Sequence, residues 1–326
     1  MDVLQYTIDG NEVSPDGRYK DFNSQLLKKE DADKADLVML GVPYDPGTPK
    51  HVGANQGPMG IRQKLSFLRT YSCEFGIDIM DYMKVCDIGN ADTDINDPIK
   101  TFDTVDKILT GIYSMKNNPK ALVLGGDHSV SPQNIASFCS NHLGRTGLIW
   151  FDNHLDTMES YHGDKWYCGC PLYRILTENE NSIRGEDVVI IGPRGFHHSP
   201  QMWEIAKQFG VTIITAEQVR LNGIKWCVDK AKEIVYKNTN QVYVSFDIDV
   251  ADPAFAPGTQ SPCPGGLLTS ELMYAVRTLA VKGIDAMDIV EVTPIKDIDG
   301  RTCMLAASIA LEFMAGDAMR RKEGLP

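Results

Sequence analysis

The sequence predicts an α/β protein: a single three-layer α/β/α domain around a central, mostly parallel sheet of about eight strands. Three observations predict it. Short, nearly continuous apolar runs bounded by Gly, Pro or Asp recur along the 326 residues, as strands buried on both faces of a parallel sheet require. Stretches with helical periodicity separate them. No repeat, low-complexity tract or Pro-rich linker interrupts the alternation, so one domain is expected over 36–326, preceded by a polar, irregular surface arm over 1–35.

The expected strands are Leu37–Val42, Ala121–Leu124, Gly147–Phe151, Val188–Ile191, Val211–Ile214, Val242–Phe246 and Ala286–Val292. Helical periodicity covers 57–69, 97–116, 130–141, 199–209, 223–237, 269–282 and 303–316. In the last, Met304, Leu305, Ile309, Leu311, Phe313 and Met314 form a broad apolar face. Helix starts are marked by Asp97-Pro98, Ser199-Pro200 and Thr269-Ser270-Glu271.

Lys plus Arg (32) against Asp plus Glu (44) gives a formal charge of −12. That balance argues against nucleic acid or an anionic membrane as the main partner and suits a cation. The sequence shows neither an unbroken apolar run of membrane-spanning length nor a signal-peptide pattern at Met1–Gln5. The eight scattered cysteines read as reduced thiols, so a cytoplasmic location is expected.

Chemistry concentrates after the strands, where open parallel sheets bind ligands. Ala121–Leu124 is followed by Gly125-Gly126-Asp127-His128-Ser129, and Gly147–Phe151 by Asp152-Asn153-His154-Leu155-Asp156. Val242–Phe246 runs into Asp247-Ile248-Asp249, and Ala286–Val290 into Glu291. Residues two apart in an extended segment share a face, so Asp152, His154 and Asp156 converge, as do Asp247 and Asp249. Taken singly, each Asp reads as a helix cap or turn former. Together with His128 they make four carboxylates and two imidazoles at one edge. Unpaired, such carboxylates repel and protonate, so a cation is expected among them. The thiolate-free donor set points to two divalent ions, Mn²⁺ first, with Ni²⁺, Co²⁺ or Fe²⁺ accepted. Asp127 reads as a capping residue.

These residues resemble the ureohydrolase family of arginase, agmatinase and relatives. The motifs are Gly125–Ser129, Asp152–Asp156, Ser245–Asp249 and Asp252-Pro253-Ala254-Phe255-Ala256-Pro257-Gly258. Gly53–Pro58, Gly265-Gly266 and Glu291-Val292-Thr293-Pro294 support them. The resemblance implies an arginase-like fold and hydrolysis of a guanidino compound to urea and an amine. It implies one metal held by His128, Asp152, Asp156 and Asp247, and another by His154, Asp152, Asp247 and Asp249. Glu291 would pair with the guanidinium. His162 would shuttle protons, and Asp156 would join His162 and Glu291 among the catalytic groups. A homo-oligomer, trimer or hexamer, is implied as well.

Departures bear on the substrate. Only Thr157–Tyr161 separate Asp156 from His162, a loop without the polar set with which arginases hold an amino acid's carboxylate and ammonium. Arginine is therefore expected to be rejected and agmatine accepted, as a small cationic guanidine. Guanidinobutyrate, guanidinopropionate, free guanidine or a biguanide are alternatives. Trp166 and Tyr167 are expected to wall the pocket. His197 and His198 are read as a helix-entry turn, and Cys168 and Cys170 not as a metal pair. A non-catalytic subunit of a hetero-oligomer is the reading from another class, opposed by the intact ligand set. A single-zinc deacetylase is opposed by the carboxylate count.

Overall fold

In the computed structural model, which describes residues 20–48 and 52–325, apolar strands stack edge to edge because each can bury both faces only between helix layers. In chain order the strands are β1 (Leu37–Gly41), the short antiparallel pair β2 (Tyr71–Ser72) and β3 (Ile77–Asp78), β4 (Val85–Asn90) and β5 (Lys120–Leu124). After these come β6 (Thr146–Phe151), β7 (Val188–Ile191), β8 (Thr212–Ile214), β9 (Gln241–Asp247) and β10 (Ala286–Val290). The helices are α1 (Gly57–Leu65), α2 (Pro98–Tyr113), α3 (Ser131–Asn141), α4 (Pro171–Glu178) and α5 (Pro200–Phe209). They continue with α6 (Ala216–Asn222), α7 (Ile224–Val235), α8 (Thr269–Lys282) and α9 (Arg301–Lys322).

The main sheet has eight strands in the order β4-β1-β5-β10-β9-β6-β7-β8, all its pairs parallel. Two apolar layers flank it. Leu122, Phe246 and Ile289 face a cluster with α7, α8 and α9, while Val123, Trp150 and Ile190 face one with α2, α3 and α4. The expected α/β/α architecture is what forms. β5, β10, β9 and β6 are consecutive neighbours, so the four strands with polar ends lie side by side at the middle of the sheet.

Differences from the sequence reading have local causes. β4 is an edge strand, and Asp87, Gly89 and Asn90 break the continuous apolar run by which buried strands are recognised. α4 and α6 are only 8 and 7 residues long, too short for periodicity to register. α9 extends to Lys322 and is long and apolar enough to cross a bilayer, yet Leu305, Ile309, Phe313 and Met314 are buried in the core. Residues 1–19 of the expected arm lie outside the described residues. From residue 20 the segment carries two short 3-10 helices, Asn23–Gln25 and Lys29–Lys34, and packs onto the fold: Phe22 is fully buried, and Leu27 bridges to Cys86 of β4.

At the amino end of β5, Asp317 of α9 is fully buried and takes Lys120 Nζ at 2.6 Å and Arg321 Nε at 2.8 Å. Burial opposes its charge, but the two cations outweigh burial and hold the carboxyl below its ordinary value. A depressed folded pKa gives stability present above the unfolded value and lost as pH falls through the folded one. Asp317→Asn leaves Lys120 facing a neutral group and is expected to cost about 3 kcal/mol in urea unfolding. Activity per folded molecule should be unchanged, because the site lies at the other end of the strands.

Candidate metal centre

Each ligand segment is shaped by carboxylates that cap their own turns. His128 leaves β5 through Gly125-Gly126, where a Cβ on Gly126 would stand 1.7 Å from the Tyr44 carbonyl oxygen, so only glycine lets the chain pass. Asp127 accepts the Ser129 N–H at 3.0 Å and sets the turn, as expected of a capping residue. Asp152 Oδ1 accepts the His154 N–H, and Asp247 Oδ1 accepts the Asp249 N–H at 2.7 Å. Asn153 N–H donates to Asp249 Oδ1 at 3.0 Å, tying the β6 and β9 ends together.

The convergence expected of these residues is present, but turns rather than extended chain produce it. β6 ends at Phe151, and Asp156 sits at φ 51°. Glu291, just past β10, has φ 65°. Left-handed non-glycine residues are strained and persist where packing over-determines them, typically at working sites.

His128 Nδ1 lies 3.1 Å from Asp152 Oδ2, 3.1 Å from Asp156 Oδ2 and 3.2 Å from Asp247 Oδ2. His154 Nδ1 lies 3.4 Å from Asp152 Oδ1 and 3.1 Å from Asp249 Oδ2. Asp152 thus turns one oxygen to each imidazole. Two groups of donors close enough to hold one ion each follow: His128, Asp152 and Asp156, and Asp152, His154 and Asp249. The cysteines belong to neither group.

These residues fit divalent cations. His128 Nδ1 is a buried nitrogen without a hydrogen-bond partner, aimed at three carboxylate oxygens. Burial disfavours charge on both imidazoles, but the surrounding carboxylates outweigh it and raise both well above their ordinary values. Burial, with the charge of Asp152, pushes Asp156 up to about 7. Burial and the charges of Asp249 and Asp152 likewise raise Asp247. Protons compensate the crowding where cations would otherwise do so.

The far side of His128 is held firmly. Its Nε2 meets Ser245 Oγ at 3.0 Å, which donates to buried Asp288 at 2.7 Å, and its ring stacks on Trp150 at 4.1 Å. Arg194 gives its guanidinium to the carbonyls of Asp249, Ala251 and Cys263 and so clamps the β9 end to the 259–264 loop. Ser245 opens a motif already singled out but without a role there, and Asp288 and Arg194 carry no motif at all; only their contacts reveal what the three do.

A cavity of about 190 Å³ opens over the ligands, with Glu291, Met158, Tyr167, Cys168, Met202, His197 and Gln260 on its walls. Glu291 Oε1 accepts the His128 N–H at 2.8 Å, and burial raises its pKa. Tyr167 walls the cavity as expected. Trp166 does not: it stacks on Phe102 at 5.0 Å beneath the Arg174 guanidinium at 4.2 Å, because the apolar layer under α4 draws it inward. His162 is also outside the cavity lining. It stands exposed at the loop tip with φ 51°, its ring against Tyr161, which stacks in turn on Tyr167. His197, read first as part of a helix-entry turn with the pocket rim as the alternative, reaches the cavity wall.

A parallel α/β sheet whose central strands end in a two-imidazole, four-carboxylate cluster defines a metal-dependent hydrolase of guanidino or amidino C–N bonds. The Arginase family matches residues 35–316, and the chain belongs to that family, a ureohydrolase. It is 33% identical over 279 residues to the proclavaminate amidinohydrolase of Streptomyces clavuligerus, covering 86% of this chain and 87% of that one. It is 33% identical over 290 residues to the agmatinase of Proteus mirabilis, covering 88% and 89%. The solved formimidoylglutamase of Bacillus subtilis superposes with a TM-score of 0.90 at 28% identity, over 98% of both chains.

Asp152→Ala removes the one residue common to both donor groups. It is expected to lower bound Mn²⁺ by at least one ion per chain in metal analysis, and retention of two would remove its bridging role. Ligands bind cations in their deprotonated forms, so protons compete with metal. With Asp156 near 7 and both imidazoles raised, Mn²⁺ affinity is expected to rise from pH 6 to pH 8 and fall on acidification, as read by calorimetric titration.

Proposed function

We propose that the chain hydrolyses a guanidino compound without a carboxylate, releasing urea and an amine, with agmatine as substrate and putrescine as the amine. One observation carries this reading. Asp156, Asp247, Asp249 and Glu291 line the cavity, and among the described residues no Lys or Arg does. The nearby Arg194 is spent on backbone carbonyls. A substrate carboxylate would enter desolvated, unpaired and opposed by like charge, which costs several kcal/mol.

His128, Asp152, Asp156 and Asp247 would hold one ion, and His154, Asp152, Asp247 and Asp249 the other, Mn²⁺ being favoured by donors without thiolate. Two such ions, when bound, lower the pKa of water enough to supply a nucleophile near neutral pH. The chain's own groups do the rest. Glu291 spends one oxygen on the His128 N–H and keeps the other for the guanidinium, whose forked donors suit a carboxylate. Burial raises its pKa, and a guanidinium beside it would favour the carboxylate form. Asp156, which lines the cavity beside His128, would accept a proton from the attacking water and pass it toward the leaving amine. Met158, Met202 and Tyr167 exclude water from the wall.

The cavity, about 190 Å³, is smaller than the ~300–1,000 Å³ usual for drug-sized ligands. This favours a second, more compact reading: free guanidine or a short-tailed derivative.

Urea release is to be compared for arginine, agmatine, 4-guanidinobutyrate, guanidine and dimethylbiguanide at equal concentrations with Mn²⁺- or Ni²⁺-loaded protein. Arginine and 4-guanidinobutyrate are expected to react at least 100-fold more slowly than the best carboxylate-free member, matching roughly 3 kcal/mol. Efficient arginine hydrolysis would sink the carboxylate argument. Turnover confined to guanidine would replace agmatine with the compact reading.

A further inference from the structure

The two candidate ligand imidazoles are not supported alike. His128 is fully buried and its Nε2 is held by Ser245, itself held by Asp288. His154 is 19% exposed, and its Nε2 faces two side chains from loops. His197 Nδ1 stands 3.1 Å away, with the two rings parallel to within 6° and 5.4 Å apart. Asn153 presents its Nδ2 at 3.2 Å. His198 is occupied elsewhere, its Nε2 at 3.2 Å from the Arg194 carbonyl oxygen.

Proton counting separates the two. A neutral imidazole carries one ring proton. His154 Nδ1 faces Asp152 Oδ1 and Asp249 Oδ2, so its lone pair is needed there for a cation, and the proton goes to Nε2. That N–H needs an acceptor. His197 Nδ1, 3.1 Å away on a ring stacked parallel to that of His154, is the acceptor placed for it; the Asn153 amide, whose Oδ1 has no other partner, is the competitor that Asn153→Ala tests. Ligand histidines generally fix their tautomer and ring orientation by donating the far N–H in this way.

We propose that His197 is the positioning residue of the second cation position: by accepting the His154 Nε2–H and stacking on its ring, it holds Nδ1 toward Asp152 and Asp249. The inference rests on the two-ion reading of the site. His197 lies on the loop between β7 and α5 and also walls the cavity. The same side chain therefore joins the substrate space to one ion's ligand without itself ligating.

The test is a Mn²⁺ titration of chelator-stripped protein, followed by calorimetry and by electron paramagnetic resonance, which distinguishes coupled from isolated ions. Wild type is expected to take two ions and to show a coupled signal. His197→Ala should bind the first ion unchanged and the second about 10–100-fold more weakly, with an isolated-ion signal at one equivalent. His197→Asn, which offers an acceptor oxygen near the place of Nδ1, should regain most of the second-site affinity. Asn153→Ala should titrate as wild type. Two tight ions in His197→Ala would overturn the proposal, and so would loss of the second ion in Asn153→Ala with His197→Ala intact. Wild type binding fewer than two ions overturns the two-ion reading and the proposal with it. Carboxylate discrimination in urea release does not depend on either mutant, so its failure is separately visible.

Discussion

Three carboxylate oxygens stand within 3.2 Å of one buried imidazole nitrogen, His128 Nδ1. Like charges crowded together and buried cannot all remain ionised unless a cation compensates them. The strained backbone at Asp156 and Glu291 (φ 51° and 65°) and the clamp made by Arg194 all serve to hold that crowd together against its own repulsion. The energy for doing so comes from elsewhere: two apolar layers and a sheet buried on both faces. The cluster is therefore affordable only at the centre of a large fold, with the ligands on rigid strand ends.

Topology explains why four separated segments can meet. β5, β10, β9 and β6 are distant in sequence but consecutive in the sheet. In a parallel sheet, all their carboxyl ends point the same way. The opposite end carries a different kind of buried charge, Asp317 with Lys120 and Arg321, which is paired within the protein and asks for no ligand. One edge thus keeps its charges satisfied and the other leaves them open, which separates stability from chemistry along the length of the same strands.

Much of this was legible in the sequence, and the reasons for the rest are specific. Buried parallel strands announce themselves as unbroken apolar runs, so seven of the eight sheet strands could be placed; β4 could not, since an edge strand is free to carry Asp87 and Asn90. Five of the six candidate ligands were readable from their i, i+2 spacing after a buried strand, and His128 from its place after β5. The stated cause was wrong in detail, as turns capped by Asp152 and Asp247 bring them together rather than an extended chain. Trp166 illustrates the opposite failure. Trp166 and Tyr167 are adjacent aromatics, and nothing in composition says which faces the cavity and which joins Phe102 and Arg174 in the layer below. His197 was visible as a residue and invisible as a neighbour, because its partner His154 lies 43 positions away.

Charge counting links the site to its substrate. Asp152, Asp156, Asp247, Asp249 and Glu291 contribute five negative charges when all are ionised. Two divalent ions, once bound, would offset four of them, and a guanidinium beside Glu291 would offset the fifth. The loaded site is then close to neutral, the condition under which buried carboxylates need no proton. A carboxylate on the substrate would return the balance to negative with no Lys or Arg among the described wall residues to meet it. A second positive charge at the far end of the substrate can remain near the mouth, where water screens it. On the proposed reading, the same arithmetic would favour divalent ions, a cationic head and a tail without a carboxylate, so the site's electrostatics would constrain the substrate as well as the ions.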